Sequence, residues 1–201
     1  YPTLKAGFDY INDGTHRGII TVRVLGNTTE TATATLFASA LPSNYSSVTI
    51  YPDAPGHIIS GNLAGSSIVR LNGADNVLFD GRPNQAGSAT DLTIQNLSTS
   101  NSSGTSTIAL EVDARNNNIL YCNVLGSSTT TMPTIGGNIW VGDLATIDGN
   151  DYNTIAYCNI GPAGTNLPTK CIHFTGSLIN NDHCTVDHNN IYDYFSPAAN
   201  S

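Results

Sequence analysis

Four gapless segments with one chemical profile recur in this chain: Leu92–Leu97, Ile119–Val124, Ile155–Ile160 and Val186–Ile191. Each begins and ends on an aliphatic residue, and each carries asparagine at its fifth position: Asn96, Asn123, Asn159 and Asn190. These asparagines stand 27, 36 and 31 residues apart. A fixed profile at unequal spacing points to strands of constant length joined by loops of varied length, and self-similarity at periods of roughly 20–50 residues marks solenoids. A second set interleaves with the first: Val69-Arg70-Leu71, Ile108-Ala109-Leu110, Ile139-Trp140-Val141 and Ile172-His173-Phe174. Runs this short with alternating polarity read as strands. Consistent two-residue turns between them are missing, so hairpins do not explain them. Parallel stacking does, because equivalent residues of successive coils then lie about 4.8 Å apart and like side chains pile on like.

The expected fold is therefore all-β, a right-handed parallel β-helix. The asparagines should form one row with carboxamides laddered along it. Cys122 and Cys158 share a column at a spacing that allows a disulfide, and a stacked pair of buried thiols fits equally. Strand alternation aims Trp140 outward beside His173 one coil on, a platform for a sugar ring unless the 126–137 loop folds over it. Ile19–Val24, Val48–Ile50, His57–Ile59 and Asn76–Phe79 read as strands of the first half, with 82–91 and 126–137 as protruding loops.

The start differs in kind. Leu4, Phe8 and Ile11 recur at helical spacing between Thr3, placed to cap, and Gly14, placed to stop. Residues 4–12 are expected to form a short helix capping the first coil, with coils over 15–201 completing a single domain, 1–201. The chain reads as processed or as a segment of something larger. The stretch Asp193–Pro197 offers no equivalent closing element.

Charge excludes several partners. Only 7 of 201 residues are Lys or Arg and the net charge is −8, so no basic stripe exists for nucleic acid or an anionic lipid surface. No apolar run reaches the roughly 18 residues of a membrane span, so membrane insertion is not expected. The surface must be covered by Asn, Ser, Thr and Gly, since charged residues are 11% against a norm of about 25%. That surface, with glycosylation-type triplets at Asn27, Asn44, Asn96 and Asn101, suits a secreted or cell-surface protein; chance in an Asn/Ser/Thr-rich chain also yields such triplets.

Catalytic signals are weak. The outward positions Arg70, Ala109, Glu111, Trp140, His173 and Thr175 hold one carboxylate, whereas glycoside hydrolysis uses a pair. No catalytic residue is assigned. His183, Asp187 and His188 lack a ligand spacing, and Asp148–Asp151 is adequately explained as a turn, so no metal or other cofactor is expected.

The stretches Leu4–Gly14, Leu71–Gly81, Tyr121-Cys122-Asn123 and Asn189–Asp193 resemble the parallel β-helix repeat regions of very large secreted proteins of Bacteroidetes-type bacteria, many of them exported by the type IX system. The resemblance runs over nearly the whole chain and implies an extracellular scaffold. The expected function is structural or adhesive, including head-to-tail self-association through exposed coil ends into a filament. The alternatives are a carbohydrate-binding adhesin using Trp140 and His173, and a polysaccharide lyase or glycoside hydrolase.

Overall fold

The computed structural model describes residues 1–142, 147–176 and 179–195; the tail of the Asp193–Pro197 stretch lies outside them. The chain winds as a right-handed parallel β-helix with three faces. The first sheet stacks Arg17–Val24, Asn44–Pro52, Val77–Asp80, Asn118–Leu120, Thr154–Ala156 and Thr185–Asp187. The second stacks Thr28–Glu30, Ile58–Gly61, Leu92–Asn96, Cys122–Gly126, Asn159–Pro162 and Asn190–Ile191. The third stacks Ala34–Phe37, Ser67–Asn72, Ser106–Glu111, Gly137–Val141 and Ile172–Phe174.

Columns of like residues run through the interior, with their last-coil members Val186 and Ile191 exposed. Ile50, Phe79, Ile119, Ile155 and Val186 run along the first sheet. Ile59, Ile94, Val124, Ile160 and Ile191 run along the second. Ala34, Val69, Ile108, Ile139 and Ile172 run along the third. Burying each such aliphatic side chain contributes about 1.5–3 kcal/mol, and the narrow bore admits little else.

The recurring six-residue segment does not occupy one strand. It crosses a corner. Ile119 and Ile155 belong to the first sheet and Val124 and Ile160 to the second, and the turn between them falls at Tyr121 and Tyr157, with φ of 54° and 57°. His188 makes the same turn at 51°. Leu92–Leu97 is the exception: Leu92–Asn96 lies wholly in the second sheet, because residues 82–91 are inserted at that corner.

The helix α1 (Leu4–Asn12) buries Leu4, Phe8 and Ile11 against the first coil, over the expected residues. Thr3 Oγ1 accepts the Ala6 N–H at 3.1 Å. Glu30, only 2% exposed, accepts the N–H groups of Leu4 and Lys5 at 2.9 and 3.0 Å, setting a carboxylate against the positive end of the helix. At the other end Asn12 acts as a short extra strand: its Nδ2 donates to Thr35 O and its Oδ1 accepts the Phe37 N–H. The helix is thus pinned to the second and third sheets at Glu30 and Ala34–Phe37. Glu30→Ala is expected to lower unfolding free energy by about 2 kcal/mol, since two helix donors lose a charged acceptor in a dry site. The check is a lower urea midpoint at unchanged slope.

Candidate functional site

The third sheet brings Trp140 and His173 into register as the sequence implies, in the row Thr35, Arg70, Ala109, Trp140, His173. It does not leave them open. Trp140 is 1% exposed and His173 7%. The indole Nε1 donates to Thr175 Oγ1 at 2.9 Å, and the ring lies so close to Gly142 that a Cβ there would stand 3.0 Å from Cζ2. The segment between Gly126 and Gly137 covers the imidazole, whose Nδ1 lies 3.0 Å from Gly136 O. Lys170 Nζ donates to Thr134 O in that same segment. The expected sugar platform is therefore corrected: both side chains leave the outer face of the sheet but are buried, Trp140 against Gly142 and Thr175 and His173 beneath the Gly126–Gly137 segment, so neither ring offers a face to a sugar. Glu111, the carboxylate of this face, is 3% exposed and lies 3.3 Å from Arg70 Nε.

Burial, with the Lys170 ammonium adding to it, lowers the His173 pKa below its usual value, and burial lowers Lys170 to about 8. His173 Nε2 is buried without a hydrogen-bond partner. Protonation must place a charge there, so as pH falls the unfolded chain takes up the proton first. Stability contributed by neutral His173 is present above the unfolded value of about 6.5 and is lost as pH drops below it. Urea midpoints measured from pH 7.5 to 5 should decline in the parent protein and decline less in His173→Gln. An equal decline in both would remove His173 as the cause.

Of the expected asparagine row, three members stand together. Asn123, Asn159 and Asn190 pair in register; Asn159 Nδ2 donates to Asn123 Oδ1 at 2.9 Å and Asn190 Nδ2 to Asn159 Oδ1 at 3.4 Å. Asn96 is not in the row. The insertion shifts it opposite Gly126, and Thr93 takes the place beside Asn123. Asn96 turns inward, 2% exposed, accepting the Leu63 N–H and donating to Leu63 O and Ser106 O.

Two further ladders lie outside the recurring six-residue segment. Asn117 and Asn153, 1% and 2% exposed, stack at the corner entering the first sheet, with Asn153 Oδ1 accepting the Asn117 N–H at 2.9 Å. Asn150 and Asn181 stack beside them, both the backbone N–H and the Nδ2 of Asn150 donating to Asn181 Oδ1. The signal was present: Asn117 and Asn153 each precede the aliphatic column residue by two positions, and Asn150 and Asn181 by five.

Aromatic side chains stack outside the corners. Tyr121 and Tyr157 lie 4.9 Å apart at 6°, His188 continues the pile at 5.1 Å, and the Arg82 guanidinium covers Tyr121 at 4.4 Å. Tyr152 and His183 form a second pile at 4.8 Å. His183 and His188 thus stand at opposite ends of the strand Thr185–Asp187, and His188 Nδ1 lies 2.7 Å from Asp187. Among the described residues no three His, Cys, Asp or Glu side chains converge as a metal site would require.

Cys122 and Cys158 share a column and stand as free thiols. Each donates to backbone carbonyls, Cys122 to Leu120 O and Cys158 to Ile119 O and Ala156 O. Burial pushes Cys158 up to about 11 and Cys122 well above its usual value, so neither is a nucleophile at neutral pH.

No protein-family model, curated protein or solved structure matches this chain. The likeness to Bacteroidetes-type surface proteins therefore rests on the sequence motifs, with the parallel β-helix as its structural counterpart. Among the described residues no helix is long and apolar enough to cross a membrane.

Proposed function

We propose that this chain is a rigid scaffold segment of a secreted or cell-surface protein. One observation carries the reading: three sheets run parallel through the described coils, and their corners are tied by side-chain ladders rather than opened into a cleft. Such a stack resists bending because each coil is hydrogen-bonded to the next along all three faces, and neighbour-to-neighbour terms add along it. The low-charge Asn/Ser/Thr/Gly surface and the resemblance to large exported β-helix proteins support an extracellular place for it.

Antibodies raised against the chain and applied to intact source cells test it. Decoration of the exterior, released by brief surface proteolysis, is the expected result; label confined to the cell interior would overturn the extracellular scaffold. Saturable binding on a glycan array would favour the adhesin reading instead.

A further inference from the structure

The strand Arg17–Val24 is the end strand of the first sheet, eight residues long and paired on one side only, with Asn44–Pro52. Val24 O accepts the Asp53 N–H, so the Val24 carbonyl faces the paired side. Backbone groups alternate along a parallel strand, and the N–H and C=O groups of Ile19, Thr21 and Arg23 therefore face the free side. The same three residues hold their side chains in solvent. Helix α1 does not close this edge, being pinned over Glu30 and Ala34–Phe37. Between helix and strand lie two adjoining clefts of about 300 and 460 Å³, which share Tyr1, Gly7, Val22 and Arg23 in their walls. Gly7 contributes no side chain to fill the gap.

An exposed edge of this length is usually blunted by a bulge, a proline or a covering element. Here a register shift at Gly18, itself at φ 76°, kinks the start of the strand and leaves Ile19–Val24 as the regular free edge; the two arginines that flank it decide what the edge accepts. Antiparallel pairing with the same strand of a second copy would bring arginine near arginine, which is unfavourable between paired strands. Among the described residues the guanidinium of Arg17 reaches only the Gly14 carbonyl, and that of Arg23 is 3.9 Å from Asp53 and half exposed. In a protein of net charge −8, this end carries three of the seven Lys and Arg residues; Lys5 is paired with Asp9 at 2.7 Å, which leaves Arg17 and Arg23 for a ligand.

We infer that the free edge of Arg17–Val24 is a docking site for an extended acidic segment of another protein, added as one more strand of the first sheet. Main-chain hydrogen bonds to Ile19, Thr21 and Arg23 supply the affinity, as in other strand-addition sites. Side chains of the incoming strand on the outer face lie beside Ile19, Thr21 and Arg23, so an aliphatic or β-branched residue suits the 83%-exposed Ile19 and a carboxylate suits Arg23.

The test titrates the whole chain into a fluorescein-labelled eight-residue peptide of alternating Val and Glu, followed by fluorescence anisotropy. Saturable binding that weakens at least tenfold in 0.5 M salt, and at least tenfold when Glu is replaced by Lys, is expected. Thr21→Pro removes one edge donor without touching the ladder to Asn44–Pro52; it should abolish binding while circular dichroism and the melting temperature stay near the parent's. Arg17→Glu combined with Arg23→Glu should reverse the preference between the Glu and Lys peptides. Equal binding of both peptides by the parent, or binding unchanged in a folded Thr21→Pro variant, would overturn the inference. Concentration-dependent self-association lost on Thr21→Pro would assign the edge to a second copy and overturn it as well.

Discussion

Gly81→Ala is expected to destabilise this protein by about 3 kcal/mol or more, lowering the melting temperature by roughly 10 °C for a chain of this size. Gly81 ends the strand Val77–Asp80 directly beneath the next coil, where a Cβ would stand 1.8 Å from Tyr121 O and 2.5 Å from Tyr121 C. Both are backbone atoms, so no rotamer change relieves the clash. The surrounding chain is also held on three sides: Gly81 N donates to Leu120 O, and Gly81 O accepts from Asp91 N and Leu92 N. Two coils must separate for one methyl group to fit. Gly26→Ala is the control, since nothing lies within 4 Å of a Cβ at that position and no change or a slight gain is expected. Thermal unfolding of the two variants side by side decides the matter; equal melting temperatures would mean that the coils do not approach as described.

Asn153→Ala should cost about 3–5 kcal/mol. The side chain is 2% exposed and serves three buried backbone groups, accepting the Asn117 N–H and donating to Ala114 O and Asn150 O at 2.8 and 2.9 Å. Each group left without a partner in a dry corner costs about 1–3 kcal/mol. Asn153→Asp keeps the acceptor but replaces the donors with oxygen facing two carbonyls, so it should be no better at neutral pH. Asn123→Ala, by contrast, should cost under about 1 kcal/mol. Its amide reaches Thr90 O and the Thr93 hydroxyl at the half-exposed surface, where water replaces what is lost. Urea denaturation of the two alanine variants gives the order directly, and a larger loss at Asn123 would refute it.

That contrast marks how far the sequence could be read. Stacked columns were legible because a narrow bore is filled mostly by aliphatic side chains, so Ile119, Ile155 and Val186 announce themselves. The cap was legible for the same reason, Leu4, Phe8 and Ile11 being the one helical pattern in a chain of alternating runs. Register at Asn96 was not legible. A gapless match of Leu92–Leu97 to its neighbours hides the insertion at 82–91, and only the hydrogen-bond ladder shows that Leu92 belongs beside Cys122. The fate of Trp140 was only half legible: alternation tells which way a side chain leaves a strand, but its burial against Gly142 and Thr175 leaves no periodic trace. The buried amides Asn117 and Asn153 stand two residues upstream of the aliphatic column, just outside the recurring six-residue segment. Their burial was the harder part, since asparagine at a turn ordinarily signals solvent.

The inserted loops at 82–91 and 127–136 leave the pitch of the sheets undisturbed, because extra chain departs at a bend and returns to the same rung. Core and periphery are for that reason free to change separately. A lineage built on such coils can lengthen one bend at a time and acquire a new lid, ridge or contact surface, while the fibre-like interior continues to impose a single spacing on everything it carries.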